Sequence, residues 1–469
     1  MAIINQVLAS GVVSYLCMTM GIMYTWPSSV LVLFGSANTT LNRVMTETEL
    51  SLLGSLSSIS AVITIPFSGY ILDRLGRKYT CIVFSILQLS SWVIVVAFKT
   101  VEAVLISILV SGITSCTLLV IPLYIGEFCQ ESIRGAMASG VMMFFGIGML
   151  ISYLLGGLVE YQTMNYTCMT ITIIGVLLLF YVKESPLMLL KKGFEKEAAK
   201  TIAHYRSVPE TSKEVQEEMA NLRRILNPEL DDATPEEEKL KPELEPVQKL
   251  SVLQFLKKSR SSRRALFVCF VLSSATVFQG LVVVQVYAQP LFEEAIPSMS
   301  ATLSSVIFAL VTVVAGFIAA YLVEALGRQS LMIYSSILAA ICCVLLGTQI
   351  QFKWGPYWIA ALFIYLYCIA YTVGAGTIPY IYNAEVFLPE IKSFASIISL
   401  EWMFLCFFVV LYIFNPLVNS IGLGGIFYIF AGVCALTALF CKLFMPETKG
   451  LTVDVIQLKF AAPRSRNKV

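Results

Sequence analysis

Residues 102–134 read EAVLISILVSGITSCTLLVIPLYIGEFCQESIR, and this stretch decides the class of fold. Between Glu102 and Glu127 no side chain carries a charge. As a helix that run is about 36 Å long, enough to cross a hydrocarbon core of about 30 Å. It closes on an acid, Glu127, and a base, Arg134, follows seven residues later. A charge-free run bounded by charges at its ends predicts a membrane-spanning helix over 102–126.

Working outward, runs of the same kind predict spans at 7–34, 51–72, 79–98, 135–159 and 163–182, then at 264–291, 300–323, 330–351, 356–382, 393–417 and 422–445. The count is six plus six. The chain therefore divides into an N-terminal six-helix bundle (1–182), a polar linker (183–263), a C-terminal six-helix bundle (264–445) and a tail (446–469). Within the linker, 187–227 has helical composition with mixed charge. Residues 229–248 (ELDDATPEEEKLKPELEPVQ) are acidic, Pro-rich and free of aromatics, the signature of a mobile segment, and 250–258 suit a short amphipathic helix lying on the membrane.

Composition agrees. Of 469 residues, 57% are hydrophobic and 13% charged, against about 25% charged in soluble chains, and the mean hydropathy is +0.80. A net charge of +2 gives no pull toward nucleic acid. The 12 cysteines lie mostly inside apolar runs and read as small packing residues. The single histidine, His204, sits in a charged segment, which argues against a His-based metal site or a Ser-His-Asp triad. No catalytic constellation and no cofactor motif is present, so an enzyme is not expected. Residues 1–6 carry no basic side chain and the first apolar run extends to Phe34, unlike a signal peptide.

Basic residues set the expected orientation. If both termini are cytoplasmic, all of the 32 Lys and Arg except Arg43, Lys99 and Lys353 fall inside. The sequons Asn38-Thr39-Thr40 and Asn165-Tyr166-Thr167 both map outside. Asn38 is the better glycosylation candidate, because Asn165 lies close to the membrane.

The halves repeat one another. After the second span comes Gly69-Tyr-Ile-Leu-Asp73-Arg74-Leu75-Gly76-Arg77-Lys78, and after the eighth comes Glu324-Ala-Leu-Gly327-Arg328-Gln329. Span 4 ends in Glu127 with Arg134 following, and span 10 ends in Glu385 with Lys392 following. Lys183-Glu184-Ser185-Pro186 follows span 6, and Pro446-Glu447-Thr448-Lys449-Gly450 follows span 12. Three motifs in matching order favour a duplicated, alternating-access carrier. Asp73, Arg74, Arg77, Glu127, Arg134, Glu184, Arg328, Glu385, Lys392 and Glu447 are candidates for a cytoplasmic gate whose ion pairs join the bundles in one state and part in the other.

On these motifs the chain resembles the sugar porter branch of the major facilitator superfamily over essentially its whole length, and within it the insect facilitated trehalose transporters. The resemblance implies an all-α fold of 12 transmembrane helices in two pseudo-symmetric bundles, a sugar bound near the midplane between them, and a monomeric carrier embedded in the lipid bilayer. It also implies which positions meet the sugar, and several have changed. Thr276 and Val277 stand where span 7 of the family carries two amides, with Gln279 at a Ser and Val282 at an Asn. Met142 replaces an amide in span 5, and Thr312 an Asn in span 8. Span 10 keeps its bend at Gly374, Gly376 and Pro379 with Tyr380 for Trp, and Glu401-Trp402 takes the Asn-Trp place in span 11. The implied site is Thr276, Gln279, Thr312, Tyr371, Thr372, Tyr380, Glu401 and Trp402, with Gln279 one turn from Thr276 on a shared helical face.

The leading expectation is facilitated diffusion of trehalose or a hexose across the plasma membrane, because residues 1–46 contain no Asp or Glu, whereas the proton-coupled members carry an Asp in the first span. The alternatives are a proton-coupled carrier of a sugar or less polar solute using Glu401, an acid inside an apolar span, and a non-transporting nutrient sensor.

Overall fold

The computed structural model describes residues 2–226, 259–451 and 453–461. The acidic stretch 229–248 and the segment 250–258 lie outside these. Among the described residues every regular element is helical, and 11 segments are long and apolar enough to cross a membrane.

Spans 1–6 are Ala2–Phe34, Glu47–Leu75, Arg77–Ala97, Val101–Phe128, Glu131–Leu158 and Tyr161–Leu179. Span 7 covers Arg260–Val286 and continues as the helix Ala288–Ala295. Spans 8, 9 and 10 are Ala301–Leu326, Arg328–Phe352 and Tyr357–Val386. The last apolar helix, Pro389–Phe444, has a non-helical residue inside it, Gly422, with φ 75° and ψ 163°. Trp402 donates to Ser274 Oγ, and Phe440 packs on Phe267 with ring centroids 6.1 Å apart. Both partners belong to span 7. A straight helix would hold Trp402 and Phe440 about 57 Å apart, so the chain reverses at Gly422 and forms spans 11 and 12. Twelve crossings result.

The core divides accordingly. One large buried cluster is built mostly from spans 7–12, and two smaller ones from spans 1–6. All 12 cysteines are buried thiols within this packing. Close approach of backbones fixes neighbours in the N-terminal bundle: at Gly21 and Gly148 a Cβ would strike the Phe145 and Met18 carbonyls, which brings spans 1 and 5 together.

The linker forms the expected helices, Pro186–Lys191, Glu195–Arg206 and Lys213–Leu226. They pack around Ile202, Val215 and Met219 and are tied to the N-terminal bundle. Gln6 Nε2 donates to the Tyr205 carbonyl at 3.1 Å, Arg206 donates to Gln6 Oε1 at 3.2 Å, and Tyr205 stacks on Phe128 at 4.9 Å. Burial and the nearby Lys183 lower the His204 pKa. The tail contributes a helix that the sequence reading passed over, Val453–Ala461. Its Gln457 donates to the Val386 carbonyl at 2.7 Å, and Arg264 of span 7 donates to the Phe460 carbonyl at 2.8 Å.

Asn165 is corrected as a glycosylation candidate. It lies inside the span 6 helix, is 2% exposed and accepts from Trp26 Nε1 at 3.0 Å, so no glycan fits there. Asn38 is exposed in the loop between spans 1 and 2.

Candidate functional site

The site lies between the bundles, and its two ends differ. On the side away from the linker, contacts cross from one bundle to the other. Gln289 N donates to Ser28 Oγ at 2.9 Å, Tyr153 OH to the Gln285 carbonyl at 2.6 Å, and Asn415 Nδ2 to Ser51 Oγ at 3.4 Å. Gly54 of span 2 abuts the Tyr287 ring, and Gly157 of span 5 abuts Thr302 of span 8. On the linker side, among the described residues, no ion pair joins the bundles. Met142 of span 5 and Tyr380 of span 10 are exposed, by 57% and 46%. The interface is sealed at one end and open at the linker end.

Two backbone breaks shape this space. Span 7 stops at Phe278, passes through Gly280 (φ 95°, where a Cβ would strike the Phe430 ring) and resumes at Leu281. Span 10 stops at Val373 and resumes at Ile378. Both bends were expected from their glycines and Pro379. Within span 10 the gap lets Thr276 Oγ1 of span 7 donate to the Ala375 carbonyl at 3.0 Å.

The implied sugar-site residues separate into three groups. Tyr371, Thr372 and Thr312 gather at the span 10 break, where Thr312 Oγ1 meets Cys368 Sγ at 3.1 Å one turn before Thr372, and Tyr380 follows the break. Thr276 and Gln279 form a second group committed to protein partners. Gln279 caps this helix in helical geometry, its N donating to the Ala275 carbonyl at 3.1 Å, so it stays one turn from Thr276. Gln279 is fully buried, donates to Ser336 Oγ of span 9 at 3.2 Å, and leaves its Oε1 unpaired inside the bundle. Glu401 and Trp402 form the third group, on span 11. On span 11 the face meeting the N-terminal core holds Ile397, Leu400 and Phe404, and the face meeting the C-terminal core holds Met403, Cys406 and Val410. Glu401, half-buried, stands one turn from Ile397 and from Phe404 beside the face that meets the N-terminal core, and Trp402 leans on Ser274 and Phe270.

The sequence reading missed three residues at the interface. Tyr24 of span 1 packs on Phe145 of span 5 at 5.6 Å, with Tyr153 of span 5 and Tyr380 of span 10 nearby. Tyr24 and Tyr380 thus approach from opposite bundles, and neither hydroxyl has a hydrogen-bond partner among the described residues. Tyr371, by contrast, spends its hydroxyl on the Thr276 carbonyl. The signal was present in Gly21-Ile-Met-Tyr24, where the glycine draws span 5 against the tyrosine.

The repeated motifs form one clasp in each bundle. Gly76 (φ 98°) and Gly327 (φ 86°) turn the chain so that the first amides of spans 3 and 9 point at a carboxylate. Glu184 accepts from Arg77 N at 2.9 Å and Lys78 N at 3.1 Å, while Glu447 accepts from Arg328 N and Gln329 N, both at 2.9 Å. A carboxylate at a helix N-terminus is favourable. Burial alone would raise the Glu447 pKa, but amides of Lys449, Arg328, Gln329 and Thr448 hold it below its usual range. Arg77 then pairs with Glu127 at 2.8 Å, and Arg328 with Glu385 at 2.7 Å. Asp73 pairs with Lys191 at 2.9 Å, and Arg74 stacks on Tyr70. The acids therefore pair inside their own bundle and not with the bases seven residues on: Arg134 reaches only the Cys129 carbonyl at 3.5 Å, and Lys392 is exposed.

Known proteins align with this architecture. The chain is 26% identical over 469 residues to a facilitated trehalose transporter of Apis mellifera ligustica, covering 98% of this chain and 89% of the relative, and 25% identical to its Bombyx mori counterpart, covering 98% and 88%. Among solved structures, the inward open xylose transporter XylE from E. coli superposes with a TM-score of 0.78 at 19% identity, covering 96% of this chain and 98% of that one. The proton:xylose symporter bound to 6-bromo-6-deoxy-D-glucose gives 0.69 at 20% identity, covering 98% and 99%. The profile of the sugar (and other) transporter family matches residues 3–460, and the chain, a multi-pass membrane transporter and not an enzyme, belongs to that family.

Proposed function

We propose that the protein is a uniporter that carries trehalose or a hexose across the plasma membrane by alternating access, with both termini and the linker in the cytoplasm. One observation supports this reading: cross-bundle hydrogen bonds seal the interface at the end away from the linker, and among the described residues none of them, and no ion pair, joins the bundles at the linker end. That is one of the two states a carrier must visit. The names of the insect relatives support trehalose.

In the opposite state, Arg134 and Lys392 reach Glu385 and Glu127 of the other bundle and close the linker side. In the state described here these two bases have no acidic partner among the described residues. Tyr24 and Tyr380 offer the sugar one hydroxyl from each bundle, and their rings cover its C–H face. Thr312, Tyr371 and Thr372 complete the near wall. The path lies within one chain, which supports a monomer, and Asn38 is the glycosylation site.

Uniport is favoured over proton coupling because residues 1–46 hold no acid. The test is uptake of radiolabelled trehalose and glucose, at outside pH 5.5 and 7.5, in cells lacking their own sugar carriers. Saturable uptake, equal at both pH values and unchanged in Glu401→Gln, supports the reading. Acid-stimulated uptake that collapses in Glu401→Gln replaces it with a proton-coupled carrier.

A further inference from the structure

Span 4 is not a uniform helix. Between Val101–Ile113 and Thr117–Phe128 the residues Thr114–Cys116 wind as a 3₁₀ turn. The local cause is a run of hydroxyls turned back on the chain: Ser107 Oγ donates to the Val104 carbonyl at 2.7 Å and Ser111 Oγ to the Ile108 carbonyl at 2.8 Å, and Thr114 Oγ1, whose one proton is shared between the Ser111 carbonyl and Gln88, lies 2.6 Å from the former. Such back-bonding bends helices, and a mid-helix 3₁₀ stretch often marks a hinge.

The repeat gives this turn a counterpart. Glu127 and Glu385 are equivalent, 258 residues apart. The same offset carries Thr114–Cys116 onto 372–374, where span 10 breaks. The two halves therefore interrupt the same helix at the same point, span 10 fully and span 4 only in part.

A second observation points to what the span 4 turn binds. Beneath it lies a small pocket of about 10 Å³, where the polar groups of Ser85, Gln88, Thr114 and Thr117 meet apolar neighbours, Leu16 and Phe84 among them. Gln88 is 2% exposed. Its Oε1 accepts from Thr114 Oγ1 at 2.8 Å, while its Nε2 has no protein partner. A buried amide without a partner costs free energy, and a pocket of that size with several polar groups has room for one water at most.

We propose that Thr114–Cys116 is the N-terminal gate hinge, bending about a single water held by Gln88 Nε2 and the Ser85 and Thr117 hydroxyls. That water bridges the weakened turn in either geometry, so span 4 flexes where span 10 has given up its helix. The role in gating rests on the transport reading; the hinge itself does not.

Hydrogen exchange of the full-length protein in nanodiscs tests it. In the wild type, peptides covering 111–118 exchange about tenfold faster than those covering 102–108, because local opening follows local hydrogen-bond loss. Gln88→Met fills the cavity, excludes the water and slows the 111–118 exchange, with the other spans unchanged as the control for folding. Gln88→Glu keeps the polar site and retains fast exchange. Equal exchange in both segments of the wild type, or no change in a folded Gln88→Met, overturns the hinge. If the exchange pattern holds while neither sugar is transported, the hinge stands and the proposed substrate fails. If transport is measured, Gln88→Met lowers maximal rate and leaves half-saturation unaltered.

Discussion

In the N-terminal half Arg77 grips Glu127 and Glu184 caps span 3; in the C-terminal half Arg328 grips Glu385 and Glu447 caps span 9. The device is the same, but the second carboxylate oxygen is treated differently. Glu385 Oε2 accepts from Thr448 Oγ1 at 2.7 Å. Glu127 Oε2 is buried without a partner, because the matching Ser185 is used to cap the linker helix at Met188. The supports differ too: three linker helices hold the N-terminal half, and one tail helix holds the C-terminal half. So do the central helices, since spans 7 and 10 are broken while span 1 runs uninterrupted over Ala2–Phe34. The comparison teaches that duplication preserved the electrostatic clasp and let the mobile parts diverge, with most of the bending assigned to the C-terminal bundle.

The clasp comparison can be broken most directly at its arginines. Arg77→Ala leaves Glu127 buried with neither oxygen paired and costs about 3–5 kcal/mol, the range for stripping one partner from a buried ion pair. Arg328→Ala costs less, because Glu385 keeps Thr448. Thermal unfolding of the purified variants reads the order, and a reversed order breaks the comparison. The hinge comparison is sharpened at Gly280, where φ is 95°. Gly280→Ala adds about 1–3 kcal/mol of backbone strain and slows transport, whereas Gly11→Ala in unbroken span 1, with open space around its Cβ position, changes neither.

A smaller effect makes the halves alike. Thr448→Val orphans Glu385 Oε2 as Glu127 Oε2 is orphaned, at a cost of about 1–3 kcal/mol, and brings Arg328→Ala closer to Arg77→Ala in the double variant. The smallest effect is with pH. Glu447 is held below its usual range in the folded state, so its contribution is fully present above an unfolded pKa near about 4.3 and is lost as pH falls through the folded value. Wild-type protein loses part of its thermal stability on acidification through that window. In Glu447→Gln that component of the slope is absent.

The spans were legible because a charge-free run of this length has no other solvent, and the clasps because glycine, acid and base recur in order. What was not legible is phase. Glu401 and Trp402 occupy consecutive positions in an apolar helix, and which way they point depends on how span 11 rolls against spans 2 and 7. Packing of Leu400 and Phe404 decides that, and no local pattern encodes it. Gln279 keeps its place one turn from Thr276, but its amide is taken by Ser336 of span 9, which no local pattern foretells. Asn165 carried a valid sequon, yet Trp26, far away in sequence, claims its side chain. The tail helix was missed because nine residues with one apolar face are ambiguous until Val386 and Arg264 supply partners.

The central claim is alternating access to a sugar between the two bundles, and counterflow tests it most directly. Purified protein in liposomes preloaded with unlabelled trehalose or glucose, at equal pH inside and out, is exposed to a trace of the labelled sugar. The account predicts a transient accumulation of label above equilibrium, weakened in Tyr380→Phe and in Tyr24→Phe. Absence of any overshoot with either sugar, from protein shown to be folded and inserted, would contradict it.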